Sequence, residues 1–311
     1  MISTILLTRC LCNRLCSLRG FCHSQLLETG LQGYRGSSKA INLVTHCTRR
    51  FLYINLREKQ IKQVDKYDVS RYQFKQNIES LDSSGLKKIV FEAIQFQVRD
   101  VDLWRRVSKR IEALLPRHMD PTHLAFLLNA FKRMHVMDRQ LFMASQEAVL
   151  LRIDEFSLQS LSLLIVSYAA LDYTEDYFFH SIADNICQRK YLPSERSESK
   201  NTFLTWANLV CGFGRAKIPR EDLFDIASTS LCTSLEDPKL SSSVPHRLIV
   251  QVACSYCGFG YRHVHLLGLI SKCLPNLRLD DEDVQLLQKA FENVQYSNTT
   301  LNAIMKLRFG Y

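Results

Sequence analysis

Phe131 is followed at once by Lys132 and Arg133, and Arg215 stands at the Arg133 offset from a second aromatic residue, Phe213. Cations held at a constant offset from a recurring aromatic are what a repeated surface needs to meet a regularly spaced polyanion, because Lys and Arg carry phosphate contacts. Lys87 and Lys88 lie in the corresponding stretch upstream, and Arg105, Arg106, Lys109 and Arg110 follow with i, i+4 spacing that shares one helical face. These residues are the candidate phosphate contacts. The Arg133 slot holds Ala170, Gly258 and Asn293 in other copies of the pattern, and Asp100, Asp102 and Glu112 lie beside the upstream cations. A solvated, self-balanced face therefore accounts for the same charges, and both readings stand at this level.

Other reactive residue types do not assemble into a recognisable centre. Cys254 and Cys257, with His263, His265 and Cys273 downstream, have the look of a zinc site, but the two cysteines occupy slots filled by Asn129 and Lys132 elsewhere, and no second CxxC pairs with them. His118, His123 and His135 have no Ser, Cys or carboxylate at a spacing that marks a triad or a metal helix. Gly258 and Gly260 flank Phe259 where a helix is expected to end, which is a capping pattern and not a phosphate loop. No catalytic residue, cofactor or metal is expected.

The elements that would position the cations come from a repeat. Leu124, Leu127, Leu128, Ala130, Phe131, Met134, Val136, Asp138, Leu141 and Phe142 recur 37 residues later as Leu161, Leu164, Ile165, Ser167, Tyr168, Leu171, Tyr173, Glu175, Phe178 and Phe179. The frame also fits stretches around Phe213, Tyr256 and Phe291, and, upstream, Leu86, Ile89, Val90, Ala93, Phe96, Val98, Leu103 and Trp104. Spacings of three and four place the early apolar residues on one helical stripe, and the small residue before the aromatic lets a neighbour approach closely. Asp138, Glu175 and Asn298, each three positions before a new apolar pair, suit the start of a second helix. Each copy thus predicts a helical hairpin that cannot bury its apolar face alone, and six of them over 83–311 predict an all-α solenoid. Pro193–Lys200 and Pro238–Ser243 are expected as loops between units, and 58–82 as a leading helix or linker.

Ahead of the repeat, residues 1–57 carry eight Lys and Arg against one acid, Glu28, which leaves only +2 of the formal +9 for the rest of the chain. Arg9, Arg14 and Arg19 alternate with Leu11, Leu15 and Leu18, the pattern of a mitochondrial transit peptide followed by a linker, and import into the matrix is expected. The best apolar run, Leu161–Leu171, is too short and too polar for a membrane span. Five cysteines, from Cys10 to Cys47, fall in the expected targeting segment; the other six are read as small hydrophobes on helices, with no need of disulfides.

The pattern spelled by Leu124–Phe142, LxxLLNAFxxMxVxDxxLF, resembles the helical repeats of the FAST-kinase-like and RAP-domain organellar RNA-binding proteins, termed heptatricopeptide or octotricopeptide repeats. It is also similar to the repeat region of the RNA-editing substrate-binding complex proteins. The resemblance covers roughly residues 83–311. It implies an α-solenoid that binds mitochondrial mRNA or rRNA and works in RNA processing, RNA stability or mitoribosome assembly, with ribonucleoprotein or mitoribosome proteins as partners. Two departures accompany it: the sequence reaches Tyr311 shortly after the last unit, so a C-terminal RAP domain is not expected, and no kinase-like site is present. A protein-binding scaffold is the alternative, since stacked hairpins serve protein partners equally and the chain beyond residue 57 is close to neutral.

Overall fold

The computed structural model describes residues 77–115, 119–189, 199–237, 244–277 and 279–309. All of them fall in the unit Phe74–Tyr311. The expected targeting segment 1–57, most of the 58–82 linker, His118, residues 193–198 of the first expected loop and the Pro238–Ser243 loop lie outside the described residues.

Among the described residues the protein is all-helical. After a short 3-10 turn, Ile78–Ser80, come twelve α-helices in pairs. They are α1 (Ser83–Gln95) and α2 (Val101–Leu114), α3 (Pro121–Met134) and α4 (Arg139–Leu151), α5 (Leu158–Ala170) and α6 (Asp176–Gln188). Then follow α7 (Ser199–Ala216) and α8 (Glu221–Glu236), α9 (His246–Gly258) and α10 (Val264–Cys273), α11 (Asp281–Asn293) and α12 (Thr299–Phe309). The first expected loop ends earlier than the sequence suggests, because Ser199 and Lys200 already belong to α7.

Helix starts follow short polar side chains that satisfy free N–H groups. Asp82, Asp120, Asp138, Ser157 and Asp280 each accept a hydrogen bond from the backbone N–H three residues on, at 2.7–3.1 Å. Asn298 caps α12 in the same way, accepting from Leu301 N at 2.7 Å. Glu175 stands at the α6 N-cap without a side-chain cap bond, so its contribution there is through charge alone.

Every odd-numbered helix ends in one motif. A residue just past the last turn is left-handed, at Gln97, His135, Asp172, Lys217, Gly260 and Gln295. The next N–H returns to the carbonyl of the aromatic slot: Val98 to Ala93, Val136 to Phe131, Tyr173 to Tyr168, Ile218 to Phe213, Tyr261 to Tyr256 and Tyr296 to Phe291, at 2.8–3.2 Å. This is the Schellman closure, and it sets the angle at which each even helix folds back.

Packing is between consecutive pairs. The odd helices touch in the order α1, α3, α5, α7, α9, α11, and the even ones in the order α2, α4, α6, α8, α10. Small residues make the first row possible: a Cβ on Gly212 would lie 2.4 Å from Ile165 Cγ2, and one on Gly214 2.4 Å from Ser255 Oγ. Between the rows, the aromatic slot of the second to fifth pairs meets the even helix of the pair before. Trp104–Phe131, Phe142–Tyr168, Phe179–Phe213 and Phe224–Tyr256 have ring centroids 5.0, 5.0, 5.4 and 4.8 Å apart, all edge-on. Each such pair contributes about 0.5–1.5 kcal/mol beyond its buried area.

A second recurrence closes each of the first three hairpins on itself. Arg110, Arg152 and Arg189, at the ends of α2, α4 and α6, donate to the carbonyls of Leu81, Met119 and Phe156 at 2.7–3.0 Å. Each acceptor is the residue just before the N-cap of the partner helix.

Candidate nucleic-acid interface

The odd row differs from the even one in its acids and not in its number of cations. Helices α3, α5, α7 and α9 contain no Asp or Glu at all, and α1 contains only Glu92. Acids sit on the even helices α2, α4, α6 and α8, as Asp102, Glu112, Glu147, Asp176, Asp184, Glu221, Asp222, Asp225 and Glu236, and on the last odd helix, α11, as Asp281, Glu282, Asp283 and Glu292. Between α3 and α9 the two rows therefore differ in charge, and the near-neutral total alone conceals this.

Lys132, Arg133 and Arg215 come together across three neighbouring odd helices. The Lys132 side chain is half-buried; burial, and then the positive charges of Arg133 and Arg215, lower its affinity for a proton. Arg215 Nη2 reaches back to donate to the Ala170 carbonyl at the end of α5, 3.3 Å away. Ala170 occupies the Arg133 slot in the intervening unit. The gap in the sequence stripe is thus spanned in space, because its small side chain lets Arg215 pass over the helix end. Helix C-termini favour cations, which explains why these side chains settle there. Among the described residues no carboxylate forms an ion pair with any of the three.

Lys87 and Lys88 share this row at its front. The Lys87 ammonium lies 5.8 Å from the centroid of the Phe126 ring on α3, and Lys88 is exposed. The remaining four candidates lie on α2, in the even row. Arg105 pairs with Asp102 at 2.8 Å and Arg106 with Glu79, whose carboxyl this guanidinium holds down at about 2. Arg110 closes its own hairpin through Leu81, and Lys109 is exposed near Glu112. The structure brings Lys132, Arg133 and Arg215 together and puts the α2 cations in the other row, mostly in intramolecular pairs.

Sequence reading missed three contributors to the odd-row surface: Phe91, Phe126 and Arg247. Phe91 and Arg247 are exposed and Phe126 is half-buried. The signal that could have found the surface is the absence of acids, counted helix by helix.

The cysteines and histidines have other employment. His263 caps α10, accepting from Leu266 N at 3.2 Å, and His265 meets Glu236 at 3.1 Å. His123 contacts Ser83 Oγ at 3.1 Å, and His135 is the left-handed residue after α3. Burial pushes the Cys211 and Cys257 thiols up to about 12 and Cys254 to about 11. Among the described residues no three His, Cys, Asp or Glu side chains converge on a metal position, and no helix is long and apolar enough to cross a membrane. Compared with protein-family models and with curated protein sequences, the chain matches none.

Proposed function

We propose that this chain is an RNA-binding α-solenoid that acts by binding and not by catalysis, addressed by residues 1–57 to the mitochondrial matrix. Its place there is in a ribonucleoprotein assembly concerned with mitochondrial transcripts or the mitoribosome. The observation that carries the RNA reading is the row of acid-free helices α3, α5, α7 and α9, with Lys132, Arg133 and Arg215 gathered across their ends. A polyanion is the ligand to which cations on helices without carboxylates are complementary. The solenoid reading is supported by the recurrence of one aromatic contact and one helix closure from pair to pair.

The test is electrophoretic retardation of labelled mitochondrial mRNA and rRNA by the full chain. Log affinity should fall linearly with log salt, and Lys132→Glu with Arg133→Glu should weaken binding and flatten that slope, by roughly 0.7–0.9 for each phosphate the variant no longer neutralises. For the address, residues 1–57 fused to a fluorescent protein should enter mitochondria; a diffuse cytosolic signal would refute it.

A protein-binding scaffold is favoured by a different feature. Met137, Phe142, Met143 and Tyr173 help line an open cleft of about 680 Å³ between the second and third hairpins, and Met137 and Met143 are exposed there. Unchanged RNA mobility at every protein concentration would turn the assignment to this surface.

A further inference from the structure

Phe91, on α1, is 50% exposed, and Phe126, on α3, is half-buried with one face open to the Lys87 ammonium. A single exposed phenylalanine is ordinary on any surface. These two are set apart by what surrounds them. Lys87 stands one helical turn before Phe91 on α1 and reaches over the Phe126 ring on the adjacent helix, with Lys88 next to it in sequence. In later units the Phe91 slot holds Asn129, Val166, Cys211, Cys254 and Lys289, and the Phe126 slot holds Leu163, Asn208, Gln251 and Leu286. The aromatic pair therefore belongs to the front of the odd row, where Glu92 is the one acid of α1, and not to the repeat pattern as such.

We propose that Phe91 and Phe126 form a stacking platform for unpaired bases, which makes the front of this row a site for single-stranded and not duplex polynucleotide. The inference rests on the polyanion reading above and names its substrate class. Lys and Arg contact phosphates of either form, but a flat apolar ring gains from nucleic acid only where a base is free to lie on it. In a duplex the base faces are already stacked. On single-strand binding a base takes the ring face that Lys87 covers, and Lys87 turns to the neighbouring phosphate, so cation and ring serve consecutive parts of one nucleotide chain.

The test compares full-length protein, by fluorescence anisotropy, on an unstructured oligoribonucleotide and on the same strand annealed to its complement. Phe91→Leu with Phe126→Leu keeps apolar bulk and removes the ring. It should weaken single-strand binding by about tenfold or more, leave duplex binding and the salt slope unchanged, and be rescued by Tyr at both positions. Phe91→Trp adds a spectroscopic readout, since Trp104 and Trp206 are buried: its fluorescence should be quenched by the single strand and not by the duplex. Unchanged single-strand affinity of the leucine variant would overturn the platform while leaving the polyanion reading intact, and so would an equal loss on both ligands. Failure of the unaltered protein to bind either oligonucleotide would overturn both.

Discussion

The Tyr168 hydroxyl donates to the backbone carbonyl of Phe142, 2.8 Å away, from α5 into the even helix of the preceding hairpin. Tyr256 makes the same bond to Phe224, two hairpins later, at 2.7 Å. Both rings are buried, and burial raises both phenols well above the ordinary value, so the hydroxyls remain protonated donors. Tyr→Phe at either site keeps the edge-on ring contact and deletes one buried hydrogen bond. Each variant should lose about 1 kcal/mol of unfolding free energy in urea, and the double variant the sum, because the sites share no partner. A double variant as stable as the parent would mean that these bonds do not couple the hairpins.

Gly212 separates close approach from helix propensity. Its missing Cβ would press on Ile165 Cγ2 at 2.4 Å and on the Ile165 and Val166 backbone at 3.2–3.3 Å, so a methyl must push α7 from α5. Gly212→Ala should destabilise by about 1–3 kcal/mol despite the better helix propensity of alanine. Gly258, in the last turn of α9, meets nothing within 4 Å. Gly258→Ala should be neutral or stabilising by up to about 1 kcal/mol. Thermal melts of the two variants check the pair, and equal shifts would contradict the packing.

That close approach is legible in the sequence, since Ala130, Ser167, Gly212 and Ser255 precede the aromatic in the second to fifth units and small side chains let neighbouring helices meet there. The apolar stripes are legible for the same reason: Leu124, Leu127, Leu128 and Phe131 follow the helical period and are all buried. The arginine closures are hidden. Arg110, Arg152 and Arg189 bind backbone carbonyls 29–33 residues away, and a carbonyl leaves no trace in residue type. The cationic surface is half-hidden, because Arg215 bridges over Ala170 in space where the linear stripe is interrupted. Four candidate cations look equivalent to the others in the sequence, although they belong to the second helix of their hairpin, where Asp102, Glu79 and the Leu81 carbonyl engage three of them.

Helix closures of this kind favour glycine, yet five of the six left-handed positions hold side chains, at φ between 52° and 60°. The sixth is Gly260, at φ 78°. A non-glycine residue costs about 1–2 kcal/mol there, partly offset because glycine loses more freedom on folding. Lys217 is the cleanest test, being exposed. Lys217→Gly should raise stability by up to about 1 kcal/mol. Gly260→Ala, with open space around its would-be Cβ, should lower it by about 1 kcal/mol through backbone strain alone. Opposite shifts in urea midpoint are expected; shifts of the same sign would contradict the shared closure.

Arg220, at the N-cap of α8, joins the third and fourth hairpins and gives stability an acid dependence. Its guanidinium pairs with Asp222 at 2.7 Å and with Asp184 on α6 at 2.8 Å, and donates to the His180 carbonyl at 3.2 Å. The hydrogen bond from Arg220 is the main reason the Asp222 carboxyl sits at about 2 rather than the ordinary 3.8; partial burial opposes it. A carboxyl depressed in the folded state stabilises it fully above the unfolded value and loses that contribution as pH falls through the folded one. Unfolding midpoints should therefore drop between about pH 4 and pH 2. Glu79, held at about 2 by Arg106, contributes in the same window. Asp222→Asn should begin less stable at about pH 5 and fall less steeply, so the two curves converge toward pH 2. Parallel curves would show that the Asp222 charge is indifferent to folding and that Arg220 holds the hairpins through Asp184 and His180 alone.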